Sequence, residues 1–167
     1  MDDIRGISKR IYILVSIHAV RLQIDPDIAY MNALRFAHII GIFENNGKLH
    51  GNNIPQSGKG QSSAKGLYQY LTDSVTTAKN RLSKYIKFIF SDDPNEMSWE
   101  EQTLLLLGDL LEKRGSDRYM KVILSNPTLS VLDTIEEAYY VLHHTAPDTA
   151  TKNMVRRKLK EIKELIA

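Results

Sequence analysis

The chain has 167 residues, a formal net charge of +2, 43% hydrophobic and 25% charged residues, and no cysteine. That length suits a single domain, 1–167, with a real core, and the composition excludes the disordered and membrane-spanning classes. A charge of +2 is too small to point to nucleic acid, and without cysteine there is no disulfide framework and no thiolate metal site.

The first apolar run, Ile11 to Val20, is interrupted by Ser16 and His18 and follows Lys9-Arg10. It is too short to span a bilayer. Asp2 and Asp3 precede the basic pair and no small-residue cleavage site follows, so it reads as a first helix packed on the core, not as a signal peptide. Asp25-Pro26-Asp27 breaks this helix and starts the next, with Asp25 as N-cap and Pro26 in the first turn.

The second helix is expected from about Asp27 to Asn45. From Phe36 to Phe43 only His38 interrupts its apolar character, and the stretch Ala37 to Phe43 is expected to be the most buried helix. Glu44 follows Ala33, Ala37 and Ile40 at spacings of eleven, seven and four residues, which stack on one helix face. It stands in the last turn, where the helix dipole disfavours negative charge by ~0.3–1 kcal/mol. Such a placement suits a carboxylic acid kept protonated near neutral pH, as a general acid must be. Two other readings stay open. Glu44 could be a solvated residue at a frayed end capped by Asn46-Gly47, or a structural residue paired with a cation such as Arg35.

A polar loop from Asn45 to Ser62 comes next. Five of the nine glycines lie between Asn45 and Gly66. Loops of this length are usually functional or disordered, and Gly51 to Gly60 has room for a short hairpin. The compact string Ser63-Ala64-Lys65-Gly66-Leu67-Tyr68-Gln69-Tyr70 closes it.

Thr72 or Asp73 is expected to cap a helix to about Phe90, with Val75, Ala78, Leu82, Tyr85, Ile86 and Ile89 as its stripe. Ser98-Trp99-Glu100-Glu101 is a capping-box pattern opening an apolar helix that Arg114-Gly115 closes. Ser116 starts a shorter helix to Leu124. After Pro127 a helix capped by Thr128 is expected, with Leu129, Leu132, Ile135, Tyr139 and Leu142 on one side. Pro147-Asp148 starts the last helix, whose stripe of Val155, Leu159, Ile162 and Ile166 runs beside six cations. Glu161 and Glu164 interleave with these, as on a solvated amphipathic face. The expected architecture is mainly α: seven helices with a central buried one, and at most a short β-hairpin.

Three landmarks in this order carry a resemblance. Glu44-Asn45 at the end of an apolar helix, then Ser63-Ala64-Lys65-Gly66-Leu67-Tyr68-Gln69, then Tyr140-Val-Leu-His143-His144-Thr-Ala-Pro147, look like the lytic transglycosylase and goose-type lysozyme superfamily. The third string is similar to that of its phage virion branch. The chain departs from the family's pattern in carrying Asn45 where serine is common, Ala146 where glycine is usual, a longer loop, and no Ala-Tyr-Asn-Ala-Gly string.

The resemblance implies a lysozyme-like helical fold and cleavage of the MurNAc-GlcNAc β-1,4 bond of peptidoglycan, with Glu44 as general acid and then base. It implies a sugar cleft lined by Ser63, Gly66, Tyr68 and Gln69, with Tyr140 and His143 on the opposite wall. Taken alone, Tyr68 would read as a core aromatic and His143 as a residue without a role. The implied partners are glycan strands and other virion proteins, with no cofactor, no nucleic acid and no membrane span. The implied location is the virion or the host cytoplasm, acting on the host cell wall. No aspartate stands at a convincing spacing for a second catalytic carboxylate; Asp73 comes nearest, and a helix N-cap explains it better. His143-His144 is no metal pair, because adjacent helical residues point apart, and His38 and His50 are isolated. Two alternative functions stay open: a phage structural or adaptor protein that keeps the fold without catalysis, and a helical binding module that uses the basic last helix on nucleic acid or a membrane.

Overall fold

Short side chains that bond backbone N–H groups set the starts of the helices. Ser8 opens α1 (Lys9–Leu22) by accepting from the Ile11 N–H at 3.2 Å. Asp25 opens α2 (Pro26–Glu44), its Oδ1 accepting from the N–H groups of Asp27 at 3.0 Å and Ile28 at 3.1 Å. Ser98 and Glu101 form the reciprocal capping box of α4 (Trp99–Glu112). Such caps satisfy donors that have no partner within the helix. Two further helices are α3 (Thr72–Leu82) and α5 (Asp117–Ser125), residues 132–137 are helical, and α6 (Thr149–Ile166) comes last. The computed structural model describes residues 8–44, 68, 72–83, 93, 96–130, 132–137 and 149–166, and no strand occurs among them. The hairpin expected at Gly51 to Gly60 lies outside them.

Helix ends are built with equal economy. Gln23, at φ 60°, adopts the left-handed conformation, and its N–H and that of Ile24 bond back to the carbonyls of Val20 and Ala19. This is the Schellman pattern, here with glutamine in the place glycine usually takes. Gly115, at φ 84°, turns the chain after α4. The Ser116 hydroxyl makes no bond to the start of α5. It donates instead to the carbonyls of Leu110 at 2.6 Å and Lys113 at 2.8 Å, so it closes the helix before it.

Two expectations about boundaries are corrected. The helix expected from Thr72 to about Phe90 is α3, which ends at Leu82 with a turn at Ser83; Val75, Ala78 and Leu82 of its stripe are buried. Tyr85, Ile86 and Ile89 lie outside the described residues. The helix after Pro127 is capped by Ser130, not by Thr128. Ser130 accepts from the Asp133 N–H at 3.1 Å and donates to the Asp133 carboxylate at 2.6 Å, whereas Thr128 bonds Asn126 Oδ1 through both its N–H and its hydroxyl.

Among the described residues the longest buried run belongs to α4, not to the Ala37 to Phe43 stretch of α2, of which Ala37, Ile39 and Ile40 are buried and the side chains of Ile42 and Phe43 lie outside the description. Every residue from Gln102 to Gly108 is buried, as are Leu110 and Leu111. α1, α2, α3 and α5 all pack against α4. α2 buries Ala29, Tyr30, Asn32, Ala33, Phe36, Ala37, Ile39 and Ile40, but Met31 and His38 reach solvent. α2 packs against α1, α4 and α5 and still keeps a solvated stripe, whereas the middle of α4 is apolar over more of its circumference and buried accordingly.

The N-termini of α1 and α4 are fastened together. The Ser8 hydroxyl donates to Glu100 Oε2 at 2.5 Å, Arg10 Nε donates to Glu100 Oε1 at 2.7 Å, and the Ser8 N–H donates to the Tyr30 hydroxyl at 3.0 Å. Burial raises the Glu100 carboxyl, but the bonds from Ser8 and Arg10 and the Arg10 charge outweigh it and hold the group below its usual range. α2 in turn supports α5: Asn32 Nδ2 donates to the Leu124 carbonyl at 2.9 Å and Arg35 to the Leu129 carbonyl. α6 belongs to a second, smaller cluster in which Val155 meets Ile39 of α2 and Ile135, with Met154 and Leu159 half-buried beside them.

Candidate functional site

α2 ends on Glu44, as the expected helix of about Asp27 to Asn45 requires. Ala33, Ala37 and Ile40, the positions in register with it, are 0%, 0% and 1% exposed. The row that leads to Glu44 is therefore the core-facing row of the helix. Arg35 stands nine residues before Glu44, which on an α-helix is about 13 Å along the axis and about half a turn away. Its guanidinium is committed to the Leu129 carbonyl.

Tyr68 is placed by α4. It is 7% exposed and its hydroxyl lies 2.9 Å from Thr103 Oγ1, a side chain that is itself buried. Burial pushes its phenol up to about 12, with the Thr103 bond opposing. At neutral pH Tyr68 is thus a neutral donor or acceptor in the core. The same buried cluster holds Ala33, Ala37 and Ile40. So the row that leads to Glu44 and the Tyr68 ring share one core. The side chain of Glu44, and Ser63, Gly66, Gln69, Tyr140 and His143, lie outside the described residues, and so does the side chain of Asp73.

One constellation of ionisable groups escapes sequence reasoning. His18 is 2% exposed. Its Nδ1 lies 3.0 Å from Arg21 Nη2, and its Nε2 lies 3.1 Å from Glu112 Oε1 of α4. Arg21 also pairs with Asp117 in the first turn of α5. The Arg21 guanidinium only donates, so Nδ1 is the acceptor and the neutral ring carries its proton on Nε2, toward Glu112. The Glu112 contact is close but not aligned as a hydrogen bond. Within α1 the signal was a histidine in an apolar row with an arginine three residues on; the two carboxylates arrive only through the fold.

Among the described residues no group of three histidine, aspartate or glutamate side chains could hold a metal, and no helix is long and apolar enough to cross a membrane. Comparison with protein-family models, curated proteins and solved structures finds no match to this chain.

Proposed function

We propose that the protein is a phage-encoded, peptidoglycan-cleaving glycosidase, a lytic transglycosylase or muramidase, in which Glu44 is the general acid and base. One observation carries the reading. A carboxylate closes the helix row Ala33, Ala37, Ile40, which is solvent-free, while Arg35, the one arginine or lysine of that helix, stands about half a turn away from that row and bonds the Leu129 carbonyl. A helix C-terminus and an apolar row both disfavour ionisation, and a proton donor to a glycosidic oxygen must be un-ionised at working pH. Tyr68, bonded to Thr103 in the same core, is a packing residue and does not line a cleft.

The chemistry follows from the bond to be broken. The Glu44 carboxyl gives its proton to the oxygen leaving C1 of the muramoyl residue, and an oxocarbenium-like state develops. The muramoyl 6-hydroxyl then attacks C1 and returns its proton to the Glu44 carboxylate, which gives a 1,6-anhydro sugar without external water. Attack by water with the same proton return gives a reducing end instead. One glutamate serves either route.

The test combines two measurements on Glu44→Gln. Glutamine keeps the size but cannot pass a proton. Release of muropeptides from purified peptidoglycan should fall by ~10²–10⁴-fold or more. The melting temperature should stay level or rise, because the change removes a carboxylate from a helix end that disfavours it. An active but destabilised variant would make Glu44 structural. A wild-type chain that folds but releases nothing would favour the adaptor alternative. Mass spectrometry of the released fragments separates the anhydro product from the reducing end.

A further inference from the structure

The contacts of His18 go beyond packing. Three elements meet at this ring: α1 supplies it and Arg21, α4 supplies Glu112, and α5 supplies Asp117. Those three are the charged groups that act on it. α2 also packs against α1, yet it contributes none of them. The ring accepts from a guanidinium on one nitrogen and faces a carboxylate with the other. Only the neutral Nε2–H tautomer fits both.

We infer that His18 is a proton-operated latch: proton uptake on Nδ1 detaches Arg21 from the ring and shifts it onto Asp117, which rearranges the junction of α1 with the start of α5. The geometry dictates the direction. A protonated imidazole has donors on both nitrogens, so Nδ1–H would face the donors of Arg21 at 3.0 Å. Turning the ring over does not help, because either nitrogen then presents a proton. The Glu112 carboxylate on the far side tolerates the charge, so the cation is held in place and Arg21 is the group that moves. Arg21 has somewhere to go, since Asp117 already binds it and is 57% exposed. The move carries the last turn of α1 and the first turn of α5, which Arg21 joins.

Burial holds the ring below its ordinary value of 6.5; Glu112 opposes this, Arg21 adds to the lowering and Asp117 opposes it. The latch is therefore shut at neutral pH and opens only on acidification below that ordinary value. This proposal is independent of the glycosidase reading, and its test needs no substrate.

The test is an NMR titration of the full chain from neutral pH downward. It follows the ring nitrogens of His18, the Arg21 side-chain N–H and the backbone amides of Asp117, Arg118 and Tyr119. At neutral pH the ring should be in the Nε2–H form. Its protonation midpoint should fall below 6.5, and the Arg21 and 117–119 signals should shift with that same midpoint. In Arg21→Met the ring should titrate at higher pH, and the 117–119 amides should no longer follow it. A ring that titrates with no response at Arg21 or 117–119 overturns the latch, as does an Nδ1–H tautomer. Global acid unfolding with one midpoint in both the wild-type chain and Arg21→Met overturns it as well.

Discussion

Tyr68 shows how one hydroxyl can be both a packing element and a titrating group. Its ring fills the core and its oxygen is matched to Thr103 Oγ1. Tyr68→Phe keeps the ring but leaves the Thr103 hydroxyl buried without this partner. The expected loss is about 1 kcal/mol, the usual net value of an intramolecular hydrogen bond, read as a lower urea midpoint. The pH dependence has a definite sign. The folded phenol ionises at about 12 and the unfolded one near 10.0, so above 10.0 the unfolded chain sheds its proton first. The Tyr68 contribution to stability is thus complete below that value and is lost as the pH rises toward 12. Tyr68→Phe should lack this part of the alkaline loss. If the two proteins lose stability in parallel through that range, the hydroxyl is not buried as described.

At the level of elements, α3 and α4 approach each other closely. A Cβ built on Gly108 would stand 2.4 Å from Leu82 Cδ1, 3.3 Å from its Cγ and 3.4 Å from its Cβ. Leu82 is fully buried, so it has no free volume into which to swing. Alanine in place of glycine favours a helix interior by ~1 kcal/mol, whereas forcing a methyl into a packed core costs ~1–3 kcal/mol. The second effect should win, and Gly108→Ala should lower stability. Leu82→Val, which removes the Cδ atoms, should recover part of that loss when combined with it. A double-mutant cycle in urea checks this: strictly additive effects would mean that the two residues do not meet. The Arg81–Asp109 ion pair joins the same two helices, so both variants should be compared at one ionic strength.

For the whole molecule, stability should be uneven. α1 to α5 contribute to one continuous core, while among the described residues α6 meets only the small cluster of Val155, Ile39 and Ile135. Arg156, Arg157, Lys160, Glu161 and Glu164 of α6 are exposed. Regions with few buried apolar contacts open at lower free energy than the global transition. Native-state hydrogen exchange should therefore show amides of α6 opening well before those of α4, where each residue from Gln102 to Gly108 is buried. Equal opening energies for the two helices would mean that α6 is integral to the main core.

Chain-local information determined much of this protein. The Asp25 cap, the Ser98–Glu101 capping box, the buried stripe of α1 and the length of α2 to Glu44 all follow from residues within a few positions of one another. So does the mainly helical class. Tertiary structure decided what local pattern leaves degenerate. α2 and α4 are both apolar over long runs, and periodicity cannot count a helix's neighbours; among the described residues packing gave α4 the longest buried run. Thr128 and Ser130 are both competent caps, and the chain between them is also held by Arg35 at the Leu129 carbonyl, a contact between residues 94 apart. Tyr68 reads from sequence as either a cleft wall or a core ring, and only Thr103, 35 residues on, makes it a core ring with a matched hydroxyl. The His18 junction was invisible for the same reason. A histidine's partners lie wherever the fold brings other helices, and nothing in its own helix names the carboxylate of Glu112 or the ion pair of Arg21 with Asp117.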